Sequence, residues 1–228
     1  TSLCKLKTPS SIQPVAFLNQ GEDLVTVDRK TDSHDIWDLK SGRHKASWPG
    51  ASQLMWQCAP AFTSDERWCV TTGPLGSTAV LREMATGGIT HPTLEIEQTS
   101  EVAFSPNGNL IAASSLIGYV KVWDFDAFDE IATLRGYLLG VHSLAFSPDG
   151  KRLATGSDGL EAIKIWEVER YQELLTLPAE GSLYIKTSFS PDGNAIASLN
   201  DAGLLNIWWA PSWEEIEQAE QIPYDQDR

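Results

Sequence analysis

Apolar and polar positions alternate in short runs separated by turn residues, a period-two pattern that predicts strands rather than helices. In the stretch from Ala162 to Val168, side chains two apart share a face. Ile163 and Ile165 are therefore expected on one side, with Lys164, Trp166 and Val168 on the other. Both sides are partly apolar, as expected of a sheet stacked between two neighbours.

The pattern recurs. Val102-Ala-Phe-Ser-Pro-Asn-Gly108, Leu144-Ala-Phe-Ser-Pro-Asp-Gly150 and Thr187-Ser-Phe-Ser-Pro-Asp-Gly193 run almost in parallel, and Phe104, Phe146 and Phe189 are spaced by 42 and 43 residues. The register extends back to Phe62 and Phe17, giving five copies. A large apolar residue follows each Phe by 19 or 20 positions: Trp37, Leu81, Trp123, Trp166 and Trp208. Ser-Pro-Asp-Gly is turn chemistry, with Pro presetting φ and Gly tolerating a positive one, so it joins two strands tightly. Each copy supplies four strands, with outer ones such as Ile131–Leu134 and Leu174–Leu177. Such a sheet alone would leave apolar faces wet, so the copies must stack, and radial stacking gives an all-β propeller.

Residues 1–210 thus read as one domain, with repeats centred near 11–48, 54–96, 100–134, 141–177 and 183–210. Residues 3–7 read as an isolated outer strand. It either closes the last blade of a five-bladed ring beside residues 203–209, or belongs to a partial ring whose other strands lie elsewhere. Residues 211–228 read as a short α-helix with an acidic tail. Ser212 and Glu215 form a capping box, and Trp213, Ile216 and Ala219 share one face. That helix either clamps Trp213 onto the last blade or docks a partner.

These residues resemble the WD-repeat β-propeller family. Lys121-Val-Trp-Asp124, Lys164-Ile-Trp-Glu167 and Asp35-Ile-Trp-Asp38 look like its terminal Trp-Asp dipeptide, and Val80-Leu-Arg-Glu83 is a degenerate copy. The stretch from Trp208 to Glu220 is similar to the ending of WD-repeat proteins from planctomycete and verrucomicrobial bacteria. The resemblance implies the C-terminal module of a larger bacterial multidomain protein, sometimes one carrying a Ser/Thr kinase-like part. The sequence departs from the family at Gly136-Tyr137, which stands in the slot of a Gly-His pair. His142 lies too close to Phe146 to fill it. Blade packing is therefore expected to rest more on apolar burial than on a buried hydrogen-bond chain.

Composition narrows the function. Nine Trp in 228 residues fit a repeated structural slot; Trp48, Trp56 and Trp68, in or beside the most divergent repeat, are either core or an exposed patch. Seventeen Lys and Arg against 31 Asp and Glu give a net charge of -14, which repels nucleic acid and anionic membranes. Cys4, Cys58 and Cys69 lack paired or metal-binding spacing, as do His34, His44, His91 and His142. This fits a reducing, cytoplasmic setting. No catalytic, cofactor or metal motif stands out, and acid pairs such as Asp124 with Asp126 fall on turns. The expected function is a non-enzymatic scaffold whose acidic rim binds a protein partner, one with a basic segment. Tyr137, Leu138 and Tyr184, in the connections before the Phe strands, are candidate contacts, together with Trp213. The alternatives are the regulatory domain of a signalling enzyme or a structural subunit of a large assembly. Missing blades would come from the rest of its own chain or another subunit.

Overall fold

The computed structural model describes residues 11–28, 30–31, 33–49, 60–72, 77–89 and 91–210. The expected strand at 3–7, Trp56, Cys4, Cys58 and the expected helix carrying Trp213 all lie outside the described residues. Within them the chain is all-β, with five antiparallel sheets formed in sequence order. Blade 1 comprises β1 (Ile12–Leu18), β2 (Asp23–Asp28), β3 (Ser33–Asp38) and β4 (His44–Pro49). Blade 2 comprises β5 (Ala61–Phe62), β6 (Trp68–Thr72), β7 (Thr78–Glu83) and β8 (Leu94–Glu95). Blade 3 runs from β9 (Thr99–Phe104) through β10 (Leu110–Ser115) and β11 (Tyr119–Asp124) to β12 (Glu130–Leu134). Blade 4 holds β13 (Ser143–Phe146), β14 (Arg152–Gly156), β15 (Ile163–Glu167) and β16 (Gln172–Leu177). Blade 5 shows three strands among the described residues, β17 (Tyr184–Phe189), β18 (Ala195–Asn200) and β19 (Leu205–Trp209).

The periodic Phe and Trp occupy one place in blades 1, 3, 4 and 5, whereas Leu81, expected in the Trp slot of blade 2, faces blade 3 and leaves that slot to Arg82. Cross-strand register aligns Phe104, Ile111 and Trp123 in one row, Phe146, Leu153 and Trp166 in the next, and Phe189, Ile196 and Trp208 in a third. Each row faces the preceding blade: Trp123 packs with Val70 and Leu81, Trp166 with Val120 and Val122, and Trp208 with Ile163 and Ile165. Ile163 and Trp166 thus point to opposite neighbours, as the alternation requires. In blade 2 the row reads Phe62, Cys69, Arg82, and it packs against Val25, Ile36 and Trp48 of blade 1. Trp48 is therefore core, lying parallel to His34 at 5.9 Å.

The turn between the first two strands explains why the Phe motif carries its tail. Gly108 N–H donates to Ser105 O at 2.9 Å with φ 77°, and Leu110 N–H donates to the Ser105 hydroxyl at 2.9 Å. Ser147 and Ser190 repeat both bonds. In the divergent repeat, Thr63 replaces the Ser, and Glu66 takes the left-handed backbone that Gly takes elsewhere, φ 57°.

The two ends of the stack differ from its interior. Blade 1 aligns Phe17, Leu24 and Trp37 in the same row, yet Phe17 is 68% exposed. The far face of blade 5 exposes Leu205, Ile207 and Trp209, the last at 71%. Among the described residues no core cluster joins blade 5 to blade 1.

Candidate protein-interaction surface

Antiparallel order sends the connections to two opposite ends of each sheet. The first-to-second and third-to-fourth strand turns share one end, while the second-to-third turn and the link to the next blade share the other. At that second end, blades 3 and 4 bring together the turn at 116–118, the connection at 135–142 and the loop holding the 3-10 turn Gly159–Glu161.

These loops are packed on one another. Leu138 N–H donates to the Glu161 carboxylate at 2.7 Å, Val141 N–H to Ser115 O at 3.0 Å, and the Ser157 hydroxyl to Gly140 O at 2.8 Å. A Cβ on Gly140 would meet Leu116 O at 2.5 Å, so only glycine allows this approach. The assembled loops present Ile117, Leu138, Leu139 and Leu160 to solvent, with Leu138 77% and Leu160 80% exposed. Turns are ordinarily polar, so exposed aliphatics gathered on a braced rim make this a candidate contact surface.

The candidate residues named from sequence divide by depth. Leu138 stands in the open. Tyr137 is half-buried beneath it, and its hydroxyl lies 2.9 Å from the Thr155 hydroxyl, which accepts from Trp166 Nε1 at 3.2 Å. Burial pushes the Tyr137 phenol up despite these bonds. In blade 4, therefore, Tyr replaces the missing His in a hydrogen-bonded chain, alongside the apolar burial on which packing is expected to rest more. In blade 1, Trp37 Nε1 donates likewise to Thr26 at 2.9 Å. Tyr184 is fully buried, donating its hydroxyl to Glu180 O at 2.7 Å and accepting from Asn206 at 3.0 Å. Trp213 lies outside the described residues. Ile117, Leu139 and Leu160 were missed, and the signal that would have found them is aliphatic residues at turn positions.

Acidic groups flank the patch at Asp158 and Glu161. Lys164 Nζ reaches Glu161 at 3.1 Å and Glu173 at 3.0 Å, which holds the ammonium above its usual range against burial. His142 Nε2 stands 3.7 Å from Asp158 Oδ2. The Ser143 and Ser157 hydroxyls are committed to the carbonyls of Tyr184 and Gly140. Among the described residues, no group of three His, Cys, Asp or Glu is placed to hold a metal, and no helix is long and apolar enough to cross a membrane.

Residues 96–124 and 128–160 match the family model described as WD domain, G-beta repeat. The WD repeat-containing protein SL1-17 of Schistosoma mansoni is 31% identical over 126 residues, 54% of this chain and 40% of that protein. Apoptotic protease-activating factor 1 of Homo sapiens is 38% identical over 55 residues, 24% of this chain and 4% of that protein. The chain thus spans less than half the length of the curated relatives it matches. The matched residues fall on blades 3 and 4, which are similar to WD repeats, and the five antiparallel sheets in sequence order make the fold a β-propeller.

Proposed function

We propose that this chain is a non-catalytic protein-interaction scaffold whose contact surface is the loop rim of blades 3 and 4. The exposed, braced cluster of Ile117, Leu138, Leu139 and Leu160 carries this reading, because burying such residues against a partner recovers the apolar transfer energy that exposure forgoes. Asp158, Glu161 and the overall charge favour a partner segment that sets a basic residue beside an apolar one. Tyr137 and Tyr184 support the rim from below, and Trp213 is a further contact from the C-terminal stretch. A cytoplasmic setting fits the buried free thiol of Cys69.

The two end faces support a partial ring. The Phe17, Leu24, Trp37 row and the Leu205, Ile207, Trp209 face are those that other blades bury, so further blades, from the rest of its own chain or another subunit, would cover them. The resemblance of the C-terminal stretch favours a setting as the C-terminal module of a larger bacterial multidomain protein. A regulatory domain of a kinase-like signalling enzyme and a structural subunit are the other settings.

The test is capture of binding partners by the full chain and by Leu138→Asp and Leu160→Asp variants. Partners that bind the parent chain should be lost from both variants with unchanged melting temperature. Equal capture by all three sinks the assignment.

A further inference from the structure

The end of the sheets opposite that rim holds a different feature, a cleft between blades 2 and 3 floored by aromatic rings from both. Trp68 opens β6, His91 lies in the β7–β8 connection, and Phe125 and Phe128 lie in the turn between β11 and β12. The rings form a closed circuit. Centroid distances are 4.8 Å from Trp68 to His91, 4.3 Å from His91 to Phe128, 5.7 Å from Phe128 to Phe125 and 6.1 Å from Phe125 to Trp68. All four are half-buried and line a cleft of about 510 Å³.

Phe128 holds its place at a conformational cost. Its N–H closes the turn onto Asp124 O at 3.0 Å with φ 59°, while Gly42 and Gly87 occupy the same turn position in blades 1 and 2 with φ 70° and 67°. A non-glycine residue there is strained, and retained strain points to a demand for the ring. Tyr171 fills the position in blade 4 and packs against the blade 3–4 core; Phe128 packs likewise against the blade 2–3 core and in addition lines the cleft.

Carboxylates stand at the rim. Asp65 Oδ1 accepts the Thr63 hydroxyl at 2.5 Å and the Arg67 N–H at 3.1 Å, bonds that hold its carboxyl below the usual range. Asp126 lines the same cleft, and the Arg67 side chain offsets one of the two charges, leaving a net -1 from two acids and one base. Elsewhere the protein seats its own cations over rings, Lys121 over Trp123 at 6.0 Å and Arg135 over Tyr119 at 5.5 Å.

We propose that this cleft binds the ammonium of a lysine side chain, free or methylated, presented by a protein partner. The Trp68, His91, Phe125 and Phe128 rings line the cleft, and Asp65 and Asp126 supply counter-charge. The site goes beyond the loop rim and sits at the other end of the sheets, so each stands or falls by itself.

The test titrates three otherwise uncharged peptides, differing only in one lysine, trimethyllysine or norleucine, onto the full chain. Binding is followed by tryptophan fluorescence and by the His91 ring signals in NMR spectra. Both cationic peptides should bind, and norleucine at least about tenfold more weakly, the scale of a partly desolvated cation–ring contact. Phe128→Gly suits the left-handed turn and keeps the fold while removing one ring; it should weaken the trimethyllysine peptide about tenfold. Leu138→Asp should leave this binding unchanged. Norleucine binding as well as lysine, no binding by either cation, or a natively folded Phe128→Gly that binds like the parent overturns the proposal.

Discussion

Glu101 on β9 of blade 3 is ion-paired with Lys186 on β17 of blade 5, reaching past the blade between them. Its second oxygen accepts the Leu144 N–H of β13 at 2.9 Å, so one carboxylate ties the innermost strands of three blades. Burial raises its pKa, and Lys186 and the Leu144 N–H only partly offset that.

Replacing Glu101 with Ala leaves the Leu144 N–H unsatisfied and should destabilise the protein by about 1–3 kcal/mol. The pH dependence has a definite sign. A carboxyl whose folded pKa is raised binds more protons folded than unfolded, so its contribution to stability is full at low pH and falls as pH rises through the ordinary carboxylate range and beyond. Denaturant midpoints from pH 4 to 8 should show this decline in the parent chain and a flatter profile in Glu101→Gln.

His34 should act in the opposite direction. Burial, with the Arg82 charge, lowers it from 6.5 to about 4, against a smaller opposing pull from Asp35. The folded state then binds fewer protons, so stability is full above the unfolded value and is lost as pH falls from about 6.5 toward 4, by about 3 kcal/mol in all. His34→Phe retains an aromatic against Trp48 and should remove that part of the acid sensitivity in thermal melts.

The Trp166–Thr155–Tyr137 chain should be energetically coupled. Thr155→Val breaks both bonds in a buried place and should cost about 1–3 kcal/mol, whereas Tyr137→Phe alone should cost about 1 kcal/mol. In a double-mutant cycle measured by urea unfolding, the two changes should be non-additive. Strict additivity would mean that the hydroxyls do not act as one chain.

Gly140→Ala probes the bracing of the rim. Its Cβ would meet backbone, Leu116 O, at 2.5 Å, so the two loops must separate. Melting temperature and partner capture should fall together. Loss of capture without loss of stability would instead make Gly140 itself a contact residue.

Much of the architecture was legible because a blade's interior demands the same residue at the same place. Phe104, Phe146 and Phe189 face the preceding blade with their Trp partners, and their spacing alone marked the unit. The Ser-Pro-Asp-Gly turns were legible for the same local reason. The degenerate repeat was readable to the extent that Phe62 kept its row, while Arg82 and Glu66 blurred the rest.

The binding surface was only partly legible. Leu138 lies in the connection before its Phe strand and is open to solvent, whereas Tyr184, expected in the next such connection, is the first residue of β17 and fully enclosed. Side-chain periodicity fixes which face of a strand a residue takes, but a loop has no period. Its exposure depends on which other segments close over it, and even at a strand's first residue such closure decides burial, as Glu180 and Asn206 bond the Tyr184 hydroxyl.

From its order of residues alone this protein was committed to stacked four-stranded units, because alternation and turn chemistry act over a few positions and repeat. Three relationships were settled only by tertiary structure: the Glu101 tie across blade 4, the aliphatic rim of blades 3 and 4, and the four-ring cleft between blades 2 and 3. Each joins side chains from separate blades or loops, and only the angle and offset of one sheet on the next bring such groups within reach.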